Sequence, residues 1–336
     1  MERKLASIQR IKELSPIEGA DRIEVARVLG WHVVVQKGLY QVGELVVYCE
    51  VDSVMPDRPE FEFLGEKRRV RTIRLRGQVS QGICFPIEDV IDVSDLDLSS
   101  TYLEGYDVTE LLGVTKYEPP IPACLAGEMY GAFPGFIPKT DETRVQTLEE
   151  MLEEFKGHEF TVTEKLDGSS MTAYYYDGHF GVCSRNIELV ENEGNTLWSV
   201  ARANDLEQIL SREQSHLAIQ GEVIGDGIQG NKYNLPKNVR RLYVYNVYDI
   251  NEARYYSNLE VAEFCARYGL DMVPQLPVVK VGTVDELVAV SEGVSVLNEN
   301  VQREGIVLRP SVEARFNGER VSMKVINPKF LLKFEE

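Results

Sequence analysis

The sequence predicts an α+β protein of two domains, a small antiparallel β-barrel followed by a larger domain of antiparallel sheets with flanking helices. Three observations carry that expectation. The 336 residues exceed what one core usually organises, about 250–300 residues. The first third of the chain consists of short β-type runs between turn residues. A Pro- and Gly-rich stretch then separates it from a remainder in which strand and helix patterns mix.

Taken in order, RIEVARVL, HVVVQKG, ELVVYCEV, VRTIRLRG and GICFPI are rich in Val, Ile and Tyr with glycine at intervals, as in an antiparallel barrel and unlike a βαβ unit. From Glu118 to Pro138 the chain gathers Pro119, Pro120, Pro122, Pro134 and Pro138, which excludes a helix or a central strand. The expected division is therefore 1–117 as barrel, 118–138 as linker and 139–336 as the second domain. Thr147 with Glu150 forms a capping-box pattern for a helix through Phe155. EFTVTEKL, MTAYYYD and HFGVCSR read as strands, the last two joined by a two-residue Asp177-Gly178 turn. Helices are expected at Thr196–Ser211, about Ser257–Tyr268 and near Val284–Val290. The strands LAIQGEVI, LYVYNVYDI, GIVLRP and RVSMKVI lie among and after them.

Composition narrows the function. A net charge of −18 opposes a polyanionic partner in general, because a uniformly acidic surface repels phosphate. KRRVRTIRLR, from Lys67 to Arg76, is the local exception: Lys67, Arg68, Arg69, Arg71, Arg74 and Arg76 with no acid among them. It is either an edge strand guarded by charge or a strand that tracks phosphates. Cys49, Cys84, Cys124, Cys183 and Cys265 are odd in number, far apart and never in CxxC spacing, so they read as small buried hydrophobes in a reducing compartment. Met1-Glu2-Arg3-Lys4 precedes no apolar signal region, and no run approaches the ~18 apolar residues that span a bilayer. The expectation is a soluble cytoplasmic protein without a membrane or an obligate protein partner.

The sharpest motif is Glu164-Lys165-Leu166-Asp167-Gly168-Ser169-Ser170 at the exit of a strand. Alone it could be an ordinary strand-to-turn transition. Its company follows in order: Ser184-Arg185-Asn186, Gly221-Glu222-Val223-Ile224-Gly225, Tyr243-Val244-Tyr245-Asn246, Glu304-Gly305-Ile306-Val307 and Ser322-Met323-Lys324-Val325-Ile326-Asn327. Together, over about residues 140–330, these segments resemble the ordered motifs of the covalent nucleotidyltransferases, the superfamily of ATP-dependent ligases and mRNA capping enzymes.

Chemistry explains the residue types. A lysine amine with a pKa near ~10.4 is neutral in about one molecule in a few thousand at pH 7, and only the neutral amine attacks phosphorus. Nearby cations, a bound divalent metal and desolvation all disfavour the ammonium, so Lys165 is expected among basic groups and near a metal. The resemblance implies that Asp167, Glu222 and Glu304 hold a hydrated Mg²⁺ or Mn²⁺, directly or through its waters, against the α-phosphate of ATP. It gives Arg185 and Lys324 positive charge at the transferring phosphoryl group, and Arg144 a grip on the β- or γ-phosphate. For either arginine a surface salt bridge is the alternative. Glu164, Gly168 and Asn186 fall in the nucleotide-binding motifs. Tyr245 stands where the superfamily stacks an aromatic on the base. Core packing is the other reading, since alternation puts Tyr243, Tyr245 and Val247 on one strand face.

Only a short tail follows Lys324, so there is no room for the trailing OB barrel of DNA ligases and capping enzymes. The order of domains, with GADRIEVARVLGWHVVVQKGLYQVGELVVYCEVDSVMPD and VRTIRLRGQVSQG, resembles the RNA-repair ligases of bacteria and protists that carry an N-terminal OB domain. That likeness implies three steps, through lysyl-AMP at Lys165 and an adenylylated 5′-end to a sealed 3′-OH/5′-phosphate break. RNA is the expected 3′-OH strand, with the barrel and its basic run gripping the nucleic acid. One departure stands out: related ligases place two lysines one residue apart in the last motif, where this chain has Ser322 and Lys324, and Lys329 or Lys333 could supply the missing charge. A DNA ligase or capping-type nucleotidyltransferase, and a non-catalytic nucleic-acid-binding protein, are the alternatives.

Overall fold

The structure is a computed structural model and describes residues 3–92, 94, 103–121 and 125–334. Met1, Glu2, Pro122 and Cys124, named above, lie outside them. The chain divides into two compact units, Met1–Pro119 with Val145–Glu149 and Pro328–Glu336, and Pro120–Arg144 with Glu150–Asn327.

The first unit contains β1 (Ala6–Pro16), β2 (Ile23–Val28), β3 (Trp31–Gln36), β4 (Leu45–Cys49), β5 (Ser53–Val54), β6 (Thr72–Leu75), β7 (Gln78–Gln81), β8 (Ile83–Phe85) and β9 (Thr115–Lys116), with short helices α1 (Ile87–Val90) and α2 (Thr109–Leu112). Its main sheet runs β3-β2-β1-β4-β8. The spine is β1, which pairs with β4 through its first half and with β2 through its second, across a bulge between Ile11 and Glu13. Sequence alternation overlooks this strand, because ASIQRIKELSP turns Ala6 and Ile8 into one core and Ile11 into another. Trp31, Tyr48 and Phe61 are fully buried and anchor those cores, each apolar side chain contributing about 1.5–3 kcal/mol.

The basic run is not one continuous strand. Only Thr72–Leu75 is extended, returning as β7 through Arg76 and Gly77 at φ 49° and 83°, the left-handed pair that a type I′ hairpin requires. Two of its cations serve the fold. Arg69 pairs with Asp52 at 2.8 Å and lies 3.8 Å over the Tyr117 ring, and Arg68 meets Asp57 at 2.5 Å. Lys67, Arg71, Arg74 and Arg76 are exposed.

The second unit holds β10 (Met129–Ala132), β11 (Thr143–Arg144), most of α3 (Glu149–Glu154), β12 (Glu159–Lys165), β13 (Ser169–Tyr176), β14 (His179–Cys183) and β15 (Ile187–Leu189). It continues with α4 (Thr196–Ala203), α5 (Leu206–Arg212), β16 (Leu217–Gly225), β17 (Arg240–Asp249), β18 (Arg254–Tyr255) and α6 (Asn258–Tyr268). The last part is β19 (Gln275–Lys280), α7 (Val284–Ser291), β20 (Gly305–Pro310), β21 (Arg315–Phe316), β22 (Glu319–Arg320) and β23 (Met323–Ile326). Two large sheets result, β10-β15-β14-β13-β16-β17-β18 and β11-β23-β20-β12-β19, beside the two-stranded β21-β22. Among its described residues the Pro-rich stretch contributes one strand, β10, at a sheet edge, as proline demands.

Met171, Ala173, Ile219, Val223, Val244 and Val247 of the larger sheet share a core with Leu197, Trp198, Leu206, Ile209 and Phe264 from α4, α5 and α6. The other face carries two smaller clusters, one around Tyr174, Ala218 and Tyr248 and one around Ile224, Tyr233 and Tyr243. The single long helix expected at Thr196–Ser211 is two, because Asp205 sits at φ 51° between them. α3 is also shorter than expected, entered through a 3₁₀ turn at Val145–Thr147. Ser257 with Glu260, and Thr283 with Glu286, close full capping boxes on α6 and α7. Alternation fails on β17: Gln220 pairs with Asn246 but Gly221 with Val244, so Tyr245 bulges. Val247 therefore joins the helical face, while Tyr243 and Tyr245 point to the other.

The chain ends in α8 (Pro328–Phe334), which clusters with the first unit and packs against β6. Cys49, Cys84, Cys183 and Cys265 are buried free thiols. Among the described residues no helix is long and apolar enough to cross a membrane.

Candidate active site

Lys165 is the last residue of β12, paired with Gly305 on β20. A Cβ on Gly305 would lie 2.2 Å from the Val325 carbonyl, so glycine is what lets β20 and β23 close there. The chain then turns through buried Leu166, and a Cβ on Gly168 would stand 2.4 Å from the Val223 carbonyl on β16. The Lys-x-Asp-Gly motif is thus a strand exit that needs glycine to cross against the neighbouring sheet. That crossing brings β12 of the smaller sheet beside β13 and β16 of the larger.

The two sheets deliver three carboxylates to one amine. Lys165 Nζ donates to both oxygens of Glu304 at 2.7 Å, and Glu222 and Asp167 act on the same ammonium through space. Burial works to lower the Lys165 pKa, but Glu304, Glu222 and Asp167 outweigh it and hold the ammonium above its ordinary value. This reverses the sequence expectation of a lysine among basic groups: in the free protein the acids dominate and protonate it. Burial, reinforced by Glu304 and Asp167 against the pull of Lys165, pushes Glu222 up to about 8. Glu304 is raised by burial too, although Lys165 opposes it. Crowded carboxylates of raised proton affinity seek cations, so the donor set fits a divalent ion. Among the described residues no three acidic, His or Cys side chains converge closely enough to hold a metal ion by themselves.

Around this centre the other expected residues separate into two groups. Lys324 on β23 stands beside Val307 and next to Arg144 on β11, and its charge reaches Glu304. The Tyr245 hydroxyl lies 3.0 Å from Ser170 Oγ, which is 2.8 Å from Thr140 Oγ1, and its ring feels the charge of Glu222. Gly168 gives its N–H to Glu222. The structure does not bring Arg185, Asn186 or Glu164 into this cluster. Arg185 pairs with Asp141 at 2.7 Å in a half-exposed bridge, and Asn186 accepts from Lys139 at 3.3 Å. Glu164, one residue before Lys165, faces away and accepts the Val296 N–H at 2.8 Å.

Several residues here were not anticipated. Lys232 donates to Asp167 Oδ2 at 2.5 Å and to the Gln229 carbonyl at 2.9 Å, and the Tyr233 hydroxyl accepts the Asp167 N–H at 2.7 Å. They come from a Gly- and Asn-rich loop whose sequence carries no periodic signal. Arg309 is 7% exposed and donates to Ser322 Oγ at 3.0 Å, the Tyr245 carbonyl at 3.1 Å and Glu142 at 2.8 Å. A cation is therefore present at the unusual serine, supplied by β20. The isolated arginine in GIVLRP was the available clue.

Known proteins share this arrangement. An OB-fold domain family matches residues 5–87, and the RNA ligase family matches residues 158–326. None of the curated proteins matches. Three solved forms of Naegleria gruberi RNA ligase are similar over 99% of this chain and 99% of theirs. A lysine-to-alanine mutant with ATP and Mn is 39% identical with a TM-score of 0.89. The form with pyrophosphate is 40% identical at 0.88, and a glutamate-to-alanine mutant with AMP and Mn 40% identical at 0.89. With the family match spanning the whole Lys165 site and the likeness to a solved RNA ligase running from end to end, the chain belongs to the RNA ligase family.

Proposed function

We propose that this RNA ligase is ATP-dependent and seals 3′-OH/5′-phosphate breaks through a lysyl-adenylate at Lys165, in RNA repair in the cytoplasm. The observation that carries the reading is the Lys165 ammonium held 2.7 Å from Glu304 and ringed by Glu222 and Asp167 at a strand end.

In the first step the neutral Lys165 amine attacks the α-phosphorus of ATP. An N–P bond forms, the P–O bond to pyrophosphate breaks, and the lysine's proton leaves. Asp167, Glu222 and Glu304 are the residues that would hold Mg²⁺ or Mn²⁺ with its waters. Once bound, the ion supplies positive charge that reverses the acid-dominated field at Lys165 and offsets charge on the α-phosphate. Lys324 and Arg185 supply fixed positive charge to the phosphoryl group in flight, and Arg144 to the β- or γ-phosphate. For Arg185 this requires leaving the exposed Asp141 pair, which costs little.

Tyr245 stacks on the adenine, its hydroxyl held by Ser170 and its backbone carbonyl by Arg309. Gly168 and Asn186 complete the nucleotide-binding shell, and Glu164 supports it from the opposite face of β12 through the Val296 N–H. A 5′-phosphate oxygen then attacks the adenylate phosphorus, the N–P bond breaks and Lys165 is regenerated. Finally the RNA 3′-OH attacks the 5′-phosphate and AMP departs. Lys67, Arg68, Arg69, Arg71, Arg74 and Arg76 belong to the RNA-holding barrel; exposed Lys67, Arg71, Arg74 and Arg76 meet phosphates, while Arg68 and Arg69 shape the surface.

The test incubates the protein with α-labelled ATP or GTP and Mn²⁺, then with nicked duplexes bearing an RNA or a DNA 3′-OH strand. Label from ATP and preferential sealing of the RNA strand are expected. Label from GTP alone, or equal sealing of both strands, would overturn the assignment.

A further inference from the structure

α8 follows the catalytic strands directly, yet it clusters with the barrel unit, its backbone coming within 8 Å of β6. Pro328 and Phe330 are its buried residues, Phe330 6% exposed with the Phe334 ring 4.8 Å away. Lys329 and Lys333 are both exposed and one helical turn apart, so they share a side of the helix next to that apolar stripe. Across the packing contact, β6 and its flanks present exposed Lys67, Arg71, Arg74 and Arg76. Neither segment contains an acid, 67–76 or 325–334, in a chain whose net charge is −18. A lysine side chain spans about 6 Å and the Debye length near 0.1 M salt is about 10 Å, so cations on backbones this close add to one field.

We propose that α8 is part of the RNA-holding surface: Lys329 and Lys333 join Lys67, Arg71, Arg74 and Arg76 in gripping the phosphate backbone of the substrate. The inference deepens the reading of the barrel as the RNA-holding domain and rests on it. The 67–76 run of the barrel and α8 build one cationic surface for a polyanion, and α8 is what carries the chain from β23 into it. The bland role for Lys333, favourable placement at a helix C-terminus, is a matter of stability alone and leaves RNA affinity untouched.

The experiment measures binding of the full-length protein to a fluorescent nicked RNA duplex from 50 to 200 mM KCl. Four proteins are compared with the unaltered chain: Lys329→Gln/Lys333→Gln, Lys329→Glu/Lys333→Glu, Arg74→Gln/Arg76→Gln and Lys156→Glu, the last an exposed cation of the other unit. Each phosphate contact contributes about 0.9 to the slope of log K against log salt. The glutamine pair on α8 should lower that slope by about 2 and weaken binding about tenfold at 50 mM KCl. The glutamate pair should weaken it further, with lysyl-AMP formation and melting temperature unchanged for the glutamine pair.

An α8 slope equal to that of the unaltered chain, while Arg74→Gln/Arg76→Gln lowers its own, overturns this inference and spares the barrel reading. Unchanged slopes in both overturn the two together. A loss of lysyl-AMP formation in the α8 variants would return these lysines to nucleotide chemistry, and a Lys156→Glu effect as large as theirs would reduce the result to net charge. Either outcome also overturns the proposal.

Discussion

Around Lys165 three carboxylates and two lysines crowd into a partly buried cluster, whereas along β6 four cations stand in water with no acid in their sequence run. The first arrangement is frustrated by design. Burial, with the repulsion of Glu304 and Asp167 added to it, pushes Glu222 up to about 8, and the three acids keep Lys165 protonated. Because the groups are poorly hydrated, each charge removed changes the remaining ones by a large amount. The β6 cations act additively, are screened by salt and tolerate loss of any one member. One region should respond to substitution in powers of ten and the other in small factors, and each prediction tests that contrast.

The largest effect is expected at the cluster. Glu304→Gln keeps the shape but removes the charge that holds Lys165 and attracts the metal, and lysyl-AMP formation should fall roughly 10²–10³-fold. A loss below tenfold in single-turnover labelling would put Glu304 outside the chemistry. Next comes Lys232→Met, which leaves Asp167 anchored by Tyr233 through its backbone only. A drop of roughly 10–100-fold in adenylylation is expected, as for other groups that orient a metal-facing residue. Activity equal to that of the unaltered chain would show the ion pair to be incidental.

How much of this was readable beforehand differs between the two regions as well. The order of motifs was sufficient to collect Lys165, Asp167, Glu222 and Glu304, because hydrophobic runs announce the strands that pair β12 with β20 and β13 with β16, and the turn from β12 to β13 joins the two pairs. Lys232 and Tyr233 were silent, since they lie on a turn-rich loop whose conformation depends on what it packs against. Tyr245 was seen, but Val247 was wrongly placed on its face, because one extra residue opposite Gln220–Gly221 breaks the alternation and nothing in LYVYNVYDI marks it. The sign of the field at Lys165 was also misjudged: motif logic assumed a bound cation, and in the protein alone Glu304, Glu222 and Asp167 dominate at the amine. In the barrel, β1 was missed because its buried positions change core midway. The basic run was plain in sequence, but that Asp52 and Asp57 claim two of its arginines was not.

An intermediate effect concerns pH. At values below about 8 the Glu222 carboxyl carries a proton that a divalent cation must displace. The concentration of Mn²⁺ for half-maximal lysyl-AMP formation should therefore fall as pH rises from 6 toward 8, approaching tenfold per unit. In Glu222→Gln that dependence should flatten. An unaltered slope in the variant would assign the proton to another group. The smallest effect is predicted for a single cation of the strip. Arg74→Gln should weaken RNA binding only two- to threefold and lower the salt slope by about 1, leaving adenylylation as it was. A hundredfold loss would mean that the strip behaves like the catalytic cluster and would remove the distinction between them.

The most direct test of the central claim is tandem mass spectrometry of the protein after incubation with ATP and Mn²⁺ under conditions that spare phosphoramidate bonds. An adenosine monophosphate adduct on the peptide containing Lys165, absent from Lys165→Ala, is the expected result. An adduct on a different lysine, or one that survives in Lys165→Ala, would contradict it.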